Sequence, residues 1–185
     1  GLHGRGAMIP VVNVVRSHLG YNSPMNSPDT SDSKKNDCAA GDPAPGIDDQ
    51  RKPVYGRRVT AIVVTYWTGP VLPDCIQALR DQSEIGEIII IDNGNPASTR
   101  DWLADQISGD PHLHLISPGR NTGFSAGCNL GAARATGDYL ALVNPDCVLP
   151  PGTIARFLDV FQGDAKAWVC GGRLEHPDGT EQRGG

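Results

Sequence analysis

The sequence predicts an α/β domain built on a mostly parallel sheet flanked by helices. Three observations carry that expectation. Residues 59–66 (VTAIVVTY) and 88–91 (IIII) are continuous apolar, largely β-branched runs, as expected of strands covered on both faces. Segments with apolar residues at helical spacing separate such runs, and a strand–helix alternation makes neighbouring strands parallel. Polar turn residues then stop two of the runs abruptly, at Asp92-Asn93-Gly94 and Asn144-Pro145-Asp146.

The chain divides in two. Residues 1–56 are expected to be disordered, and 57–185 to form the folded domain. Residues 8–15 are apolar but short, and Pro10, Asn13 and Arg16 interrupt or bound them, so neither a signal peptide nor an anchor is indicated. Residues 21–53 are rich in Ser, Asp, Pro, Gly, Asn and Lys, and cannot bury enough apolar surface to offset their ordering entropy. Met8 and Met25 stand as the two candidate natural starts. The remaining stretch, about 130 residues, is long enough for one core.

Element by element, the apolar spacing of Val71, Leu72, Cys75, Ile76 and Leu79 predicts a helix over 71–82, with Pro73 tolerated in its first turn. A second helix is expected over 98–107, capped by Ser98, with Trp102, Leu103 and Ile107 inward. Residues 112–116 read as a short strand. The stretch 119–146 follows, with a turn-forming loop at 120–123, a small-residue helix over 125–136 and a buried strand over 139–143. A helix over 153–161 and a strand over 167–170 complete the series.

Composition excludes several functions. A net charge of −5 argues against a nucleic-acid binder, which usually carries a basic stripe. The five cysteines form no C-x-x-C, the pattern of reduced thiols rather than of a disulfide framework or zinc site. No run reaches the roughly 18–20 apolar residues of a membrane span. A dinucleotide fold would need G-x-G-x-x-G after the first strand, where only Gly69 occurs, and a P-loop would need G-K-[ST]. Gly123-Phe124-Ser125-Ala126-Gly127 formally matches the G-x-S-x-G elbow of serine hydrolases. That elbow requires a strand running straight into the serine, and residues 117–122 intervene.

Two acids, Asp92 and Asp146, stand at strand ends. Parallel strands all finish on one side, so both belong to the sheet edge where open α/β folds hold their ligands. Asp92 suits a ribose or a base, or merely stabilises an Asp-Asn-Gly turn. Asp146, beside Asn144, suits a hard divalent cation held through oxygen.

The segments VTAIVVTY, IIIIDNGN, GRNTGFSAGCNLGAARATGDYLALVNPD and GGRLEHPDGTEQR, in that order, resemble family 2 glycosyltransferases of the GT-A (Rossmann-like) fold, most of all the rhamnosyltransferase-like branch. The resemblance runs from Val59 to the end and implies a role for each matching position. Tyr66 lies beside the nucleotide base, Asp92 hydrogen-bonds it, and Asn93 adjoins. Arg120, Asn121, Gly123, Phe124, Gly127 and Asn129 belong to the loop and helix on the donor side. Asn144 and Asp146 match the metal-binding D-x-D motif, with Asn in place of the first Asp, which leaves one firm carboxylate.

The resemblance further implies inverting transfer of a sugar, with rhamnose the leading candidate, from a nucleoside diphosphate to a cell-surface polysaccharide or lipid-linked acceptor. A divalent cation (Mg2+ or Mn2+) is the implied cofactor, and the implied location is the cytoplasm, with peripheral association at the inner face of the membrane. The family's general base belongs to a later half of the domain, so the chain is expected to be a truncated, donor-binding portion without an assignable base. Neither Glu175 nor His176 is supported by the family pattern. Uncovered apolar surface near residues 167–174 and self-association are expected with it. The alternative function is a non-catalytic nucleotide-sugar-binding remnant.

Overall fold

The computed structural model describes residues 12–17, 59–172 and 180. Its elements are β1 (Val12–Arg16), β2 (Val59–Thr65), α1 (Leu72–Arg80), β3 (Ile85–Asp92), α2 (Ala97–Ser108), β4 (Leu113–Ile116), α3 (Phe124–Ala132), β5 (Tyr139–Val143), α4 (Thr153–Gly163) and β6 (Val169–Gly171). The strands form one sheet in the order β4-β3-β2-β5-β1-β6. Neighbours from β4 to β5 are parallel, whereas β1 runs antiparallel to both β5 and β6. The expected α/β architecture with a mostly parallel sheet is therefore present.

The central strand β2 is buried along all 7 residues, as its unbroken apolar run requires. One face of the sheet carries α1, α2 and α4, whose Leu72, Ile76, Leu79, Leu103, Ile154, Phe157 and Phe161 pack with Ala61, Val63, Ile88 and Ile90. The other face carries α3, which covers Ile62, Val64, Ile89 and Ile91. Small residues let α3 sit close: a Cβ on Gly127 would lie 2.9 Å from Val64 Cγ1, and one on Gly131 would lie 2.6 Å from Ile62 Cγ2.

One expectation is overturned within residues 1–56. Residues 12–16 are not disordered; they form β1, pairing Val12 with Val143 and Arg16 with Tyr139 on β5, and Val14 with Cys170 on β6. Val12 and Val14 face the core, each burial worth about 1.5–3 kcal/mol. The Arg16 guanidinium reaches the C-terminal end of α4, donating to the carbonyls of Phe161 (2.5 Å), Ala165 (3.2 Å) and Asp164 (3.3 Å), and lies 5.4 Å from the centre of the Phe161 ring. A cation is favoured there by the helix dipole and the unpaired carbonyls. The rest of the N-terminal stretch, and Glu175 and His176, lie outside the described residues.

Ser98 is not a cap. Pro96 occupies the N-cap of α2, and no side chain caps the helix. At the sheet margin Trp168 and Val169 are exposed. Among the described residues, no helix is long and apolar enough to cross a membrane.

Candidate active site at the C-terminal edge of the parallel strands

Strands β2, β3, β4 and β5 run in one direction, so Tyr66, Asp92, the 117–123 loop and the 144–146 turn leave the sheet at one edge. Asp92 closes β3 and is buried. Its Oδ1 accepts from the backbone N–H of Asn95 (2.9 Å), the Asn95 side-chain amide (2.8 Å) and the N–H of Gly94 (3.3 Å). Oδ2 takes only a 3.5 Å contact from the Ser117 hydroxyl. One oxygen thus builds the turn while the other keeps most of its accepting capacity.

Asn93 and Asn121 bind one loop to the next. The Asn93 amide donates to Asn121 Oδ1 (2.9 Å), and Asn93 Oδ1 accepts from the backbone N–H (2.7 Å) and hydroxyl (3.0 Å) of Thr122. Asn121 Oδ1 also accepts from the N–H of Gly123 (2.9 Å), which precedes α3 with φ +82°. These contacts hold the 120–123 loop on the end of β3. Beside it, Arg120, Asn121, Thr122, Ala126, Asn129 and Leu130 line an open depression of about 600 Å³. Arg120 is exposed and has no ion pair or hydrogen bond among the described residues, so its charge is available to a ligand.

Two of the expected donor-side residues open or lie within α3. Gly127 faces the sheet rather than the depression, packed against Val64 with its N–H bonded to Gly123 O. Its missing side chain serves helix–sheet approach. Phe124 opens α3 and is exposed. Ser125 lies in the first turn of that helix, 9 residues past the end of β4, so the strand-to-serine elbow of a hydrolase is absent.

At the end of β5, Asn144 is buried and its carbonyl accepts from the Cys75 thiol (3.6 Å) and the Cys147 N–H (3.1 Å). Asp146 is exposed and has no hydrogen-bonding or ion-pair partner among the described residues. No three His, Cys, Asp or Glu side chains cluster among those residues. A single free carboxylate next to a buried amide fits a cation whose remaining ligands come from water and phosphate oxygens, the habit of Mg2+, and does not fit an all-protein cage.

Sequence reasoning missed two neighbours of this edge. Asn95, buried, donates to Thr65 Oγ1 (2.6 Å), Thr65 O (3.2 Å) and Asp92, locking the ends of β2 and β3 together. Trp67 follows Tyr66 with φ +48° and stands exposed. The Asp92-x-x-Asn95 spacing, with an acid able to accept from the turn that follows it, could have found Asn95; nothing local pointed to the backbone of Trp67.

The sequence profile of "Glycosyl transferase family 2" matches residues 60–185. The chain belongs to that family. Among curated relatives, an N-acetylglucosaminyl-diphospho-decaprenol L-rhamnosyltransferase of Mycobacterium tuberculosis is 25% identical over 131 residues, covering 64% of this chain and 42% of its own length. An undecaprenyl-phosphate mannosyltransferase of Micrococcus luteus is 27% identical over 109 residues, covering 57% of this chain and 44% of its own length. The chain therefore spans less than half of either relative. A mannosyltransferase from Pyrobaculum calidifontis, solved in complex with GDP-Man and Mn2+, superposes with a TM-score of 0.53 at 23% identity, over 59% of this chain and 33% of its own. That likeness establishes the GT-A fold.

Proposed function

We propose that this chain is the donor-binding portion of an inverting glycosyltransferase, which transfers a sugar from a nucleoside diphosphate to a cell-surface polysaccharide or lipid-linked acceptor. One observation carries the reading: an unpaired acid (Asp146), a carboxylate oxygen with most of its accepting capacity left (Asp92 Oδ2) and an unpaired cation (Arg120) all stand where the parallel strands of a family 2 domain end. Tyr66 and Asp92 would hold the base, Arg120 and Asn129 the diphosphate and sugar, and Asn93 with Asn121 would position the loop. Rhamnose is the leading donor sugar, supported by the rhamnosyltransferase relative. The chain would work in the cytoplasm, against the inner face of the membrane.

Asp146, with Asn144 behind it, would hold a divalent cation. When bound, the ion supplies electrostatic stabilisation of charge on the departing diphosphate. Arg120 would add a second positive charge at the same edge. No described residue is assigned as the base that takes the acceptor proton.

The test is titration of UDP, TDP and GDP with and without Mg2+ or Mn2+, for the parent chain and Asp146→Ala. The parent should bind more tightly with metal, and the variant should lose that dependence while its unfolding transition stays in place. A variant with the parent's metal response removes Asp146 from the site.

A further inference from the structure

β5 and β6 follow one another in the chain, joined through α4, yet they are not neighbours in the sheet. Both run antiparallel to β1, and so parallel to each other, with β1 filling the one-strand gap between them. Two strand spacings make that gap about 9.5 Å wide. Consecutive strands usually pair or neighbour directly. Here the crossover holds a place open, and a segment from before β2 takes it.

The gap selects its occupant in three ways. Its two edges hydrogen-bond an extended backbone on both sides: residues 12–16 pair with Val143 to Tyr139 on β5, and 13–15 with Gly171 to Val169 on β6. The N–H of Gly172 donates to Val12 O (3.1 Å), that of Arg16 to Trp168 O (3.2 Å) and that of Ser17 to Asp138 O (2.9 Å). Alternate side chains then enter the core, where Val12 and Val14 join the cluster that holds Val143, Phe157 and Phe161. Two positions on, the carbonyls of Phe161, Asp164 and Ala165 accept from the Arg16 guanidinium. Together these features read an extended Val-x-Val-x-Arg segment. In strand addition, main-chain bonds supply the affinity and alternate side-chain sockets the specificity.

The recognition is confined to the gap. Among the described strands, β1 pairs with β5 and β6 alone. Residues 18–58 lie between it and β2, and 21–53 carry the Ser-, Pro-, Gly- and Asp-rich composition of a linker. Every contact that seats β1 is therefore open to the same sequence arriving without that connection.

We infer that the gap between β5 and β6 is a strand-acceptor site for an extended Val-x-Val-x-Arg segment, and that residues 12–16 occupy it as an exchangeable ligand rather than as a fixed part of the core. The inference does not rest on the nucleotide-sugar reading.

The experiment severs the connection in the full chain, at a protease site inserted within residues 21–53. A fluorescein-labelled peptide of residues 10–18 is then titrated in, and anisotropy follows its uptake. By circular dichroism the cut chain should keep its fold, and it should take up the peptide saturably as the cut fragment leaves. The uncut chain should bind the peptide at least about 10-fold more weakly, since its own strand competes at an effective concentration on the order of millimolar. In the peptide, Arg16→Ala should weaken binding by about 10- to 150-fold, the worth of hydrogen bonds to a charged group. Val14→Asp should abolish it, by placing a charge in the core. Equal uptake of the Val14→Asp peptide, or equal uptake by cut and uncut chains, marks surface adhesion and overturns the inference. A cut chain that unfolds, or that admits no peptide short of global unfolding in urea, makes β1 a fixed core strand and overturns it too.

Discussion

Asp92 shows how one carboxylate serves structure and recognition with different oxygens. Its Oδ1 accepts from the N–H groups of Gly94 and Asn95 and from the Asn95 amide, and Oδ2 is the oxygen left for a base N–H. Removing the whole side chain would confuse the two roles. Asp92→Asn separates them, because an amide oxygen can still accept in the turn while its NH2 meets a base N–H donor with the wrong polarity. We expect Asp92→Asn to fold with the parent's melting temperature within a few degrees. Its affinity for UDP or TDP should drop by about 10- to 150-fold, the worth of a hydrogen bond to a charged group, with discrimination among bases flattened. Equal loss for UDP, TDP, GDP and pyrophosphate in calorimetry would assign Asp92 to the turn alone.

At the scale of elements, the site depends on two close fits. The first is α3 on β2, where Gly131 stands against Ile62, which is buried, β-branched and therefore stiff at χ1. Gly131→Ala gains helix propensity, about 1 kcal/mol, but forces a 2.6 Å contact. Overpacking typically costs about 1–3 kcal/mol, so the net change should be destabilising. Gly109→Ala, where a Cβ meets nothing within 4 Å, is the control in chemical denaturation. A Gly131→Ala chain as stable as the parent would mean that α3 shifts freely.

The second fit is β1 with α4. Arg16 serves three carbonyls at the end of that helix and faces the Phe161 ring. Arg16→Ala should cost about 1.5–3 kcal/mol, and Arg16→Lys should recover only part, since a single ammonium cannot reproduce the planar fork. Denaturant midpoints read both. No loss in the Ala variant would show that β1 is held by its strand pairing alone. Since Val12 stands opposite Val143, loosening β1 also loosens the strand that ends at Asn144–Asp146.

For the molecule as a whole, pH reports the buried joint beneath the site. Burial, helped by the charges of Cys147 and Asp146, pushes the Cys75 thiol up to about 12, and burial with the Asp146 charge pushes Cys147 up to about 11. The unfolded chain would release these protons near the ordinary value of 9.0. Below that pH the stabilisation is complete. As pH rises above 9.0, the unfolded state binds fewer protons than the folded state, so stability falls through the window up to about 11–12. Each thiol contributes a slope of about 1.4 kcal/mol per pH unit there. Urea midpoints from pH 8 to 10.5 should fall, and Cys75→Ala should flatten the slope even if it lowers every midpoint. A slope unchanged by that substitution would show that Cys75 ionises as freely folded as unfolded.

The sequence by itself determined the parallel half of the sheet and the edge at which its strands end. Residues 59–65 and 88–91 carry their strand signal locally, in β-branched side chains and unbroken apolar runs, and the helices carry theirs in apolar spacing. Parallel connection then fixes which ends coincide, so Asp92 and Asp146 were legible as edge residues before any coordinates. The tertiary structure alone decided the rest. A five-residue strand with two buried valines holds no local signal strong enough to set it apart from its polar surroundings; β1 exists because β5, β6 and the end of α4, more than 120 residues later, supply its hydrogen bonds. The same holds inside the site. Which oxygen of Asp92 is committed, that the Asn93 amide donates to Asn121, and that Gly127 faces a valine are facts of partnership between segments distant in sequence. Spacing along one chain encodes periodicity, but a hydrogen-bond partner or a strained φ is chosen only when the elements pack.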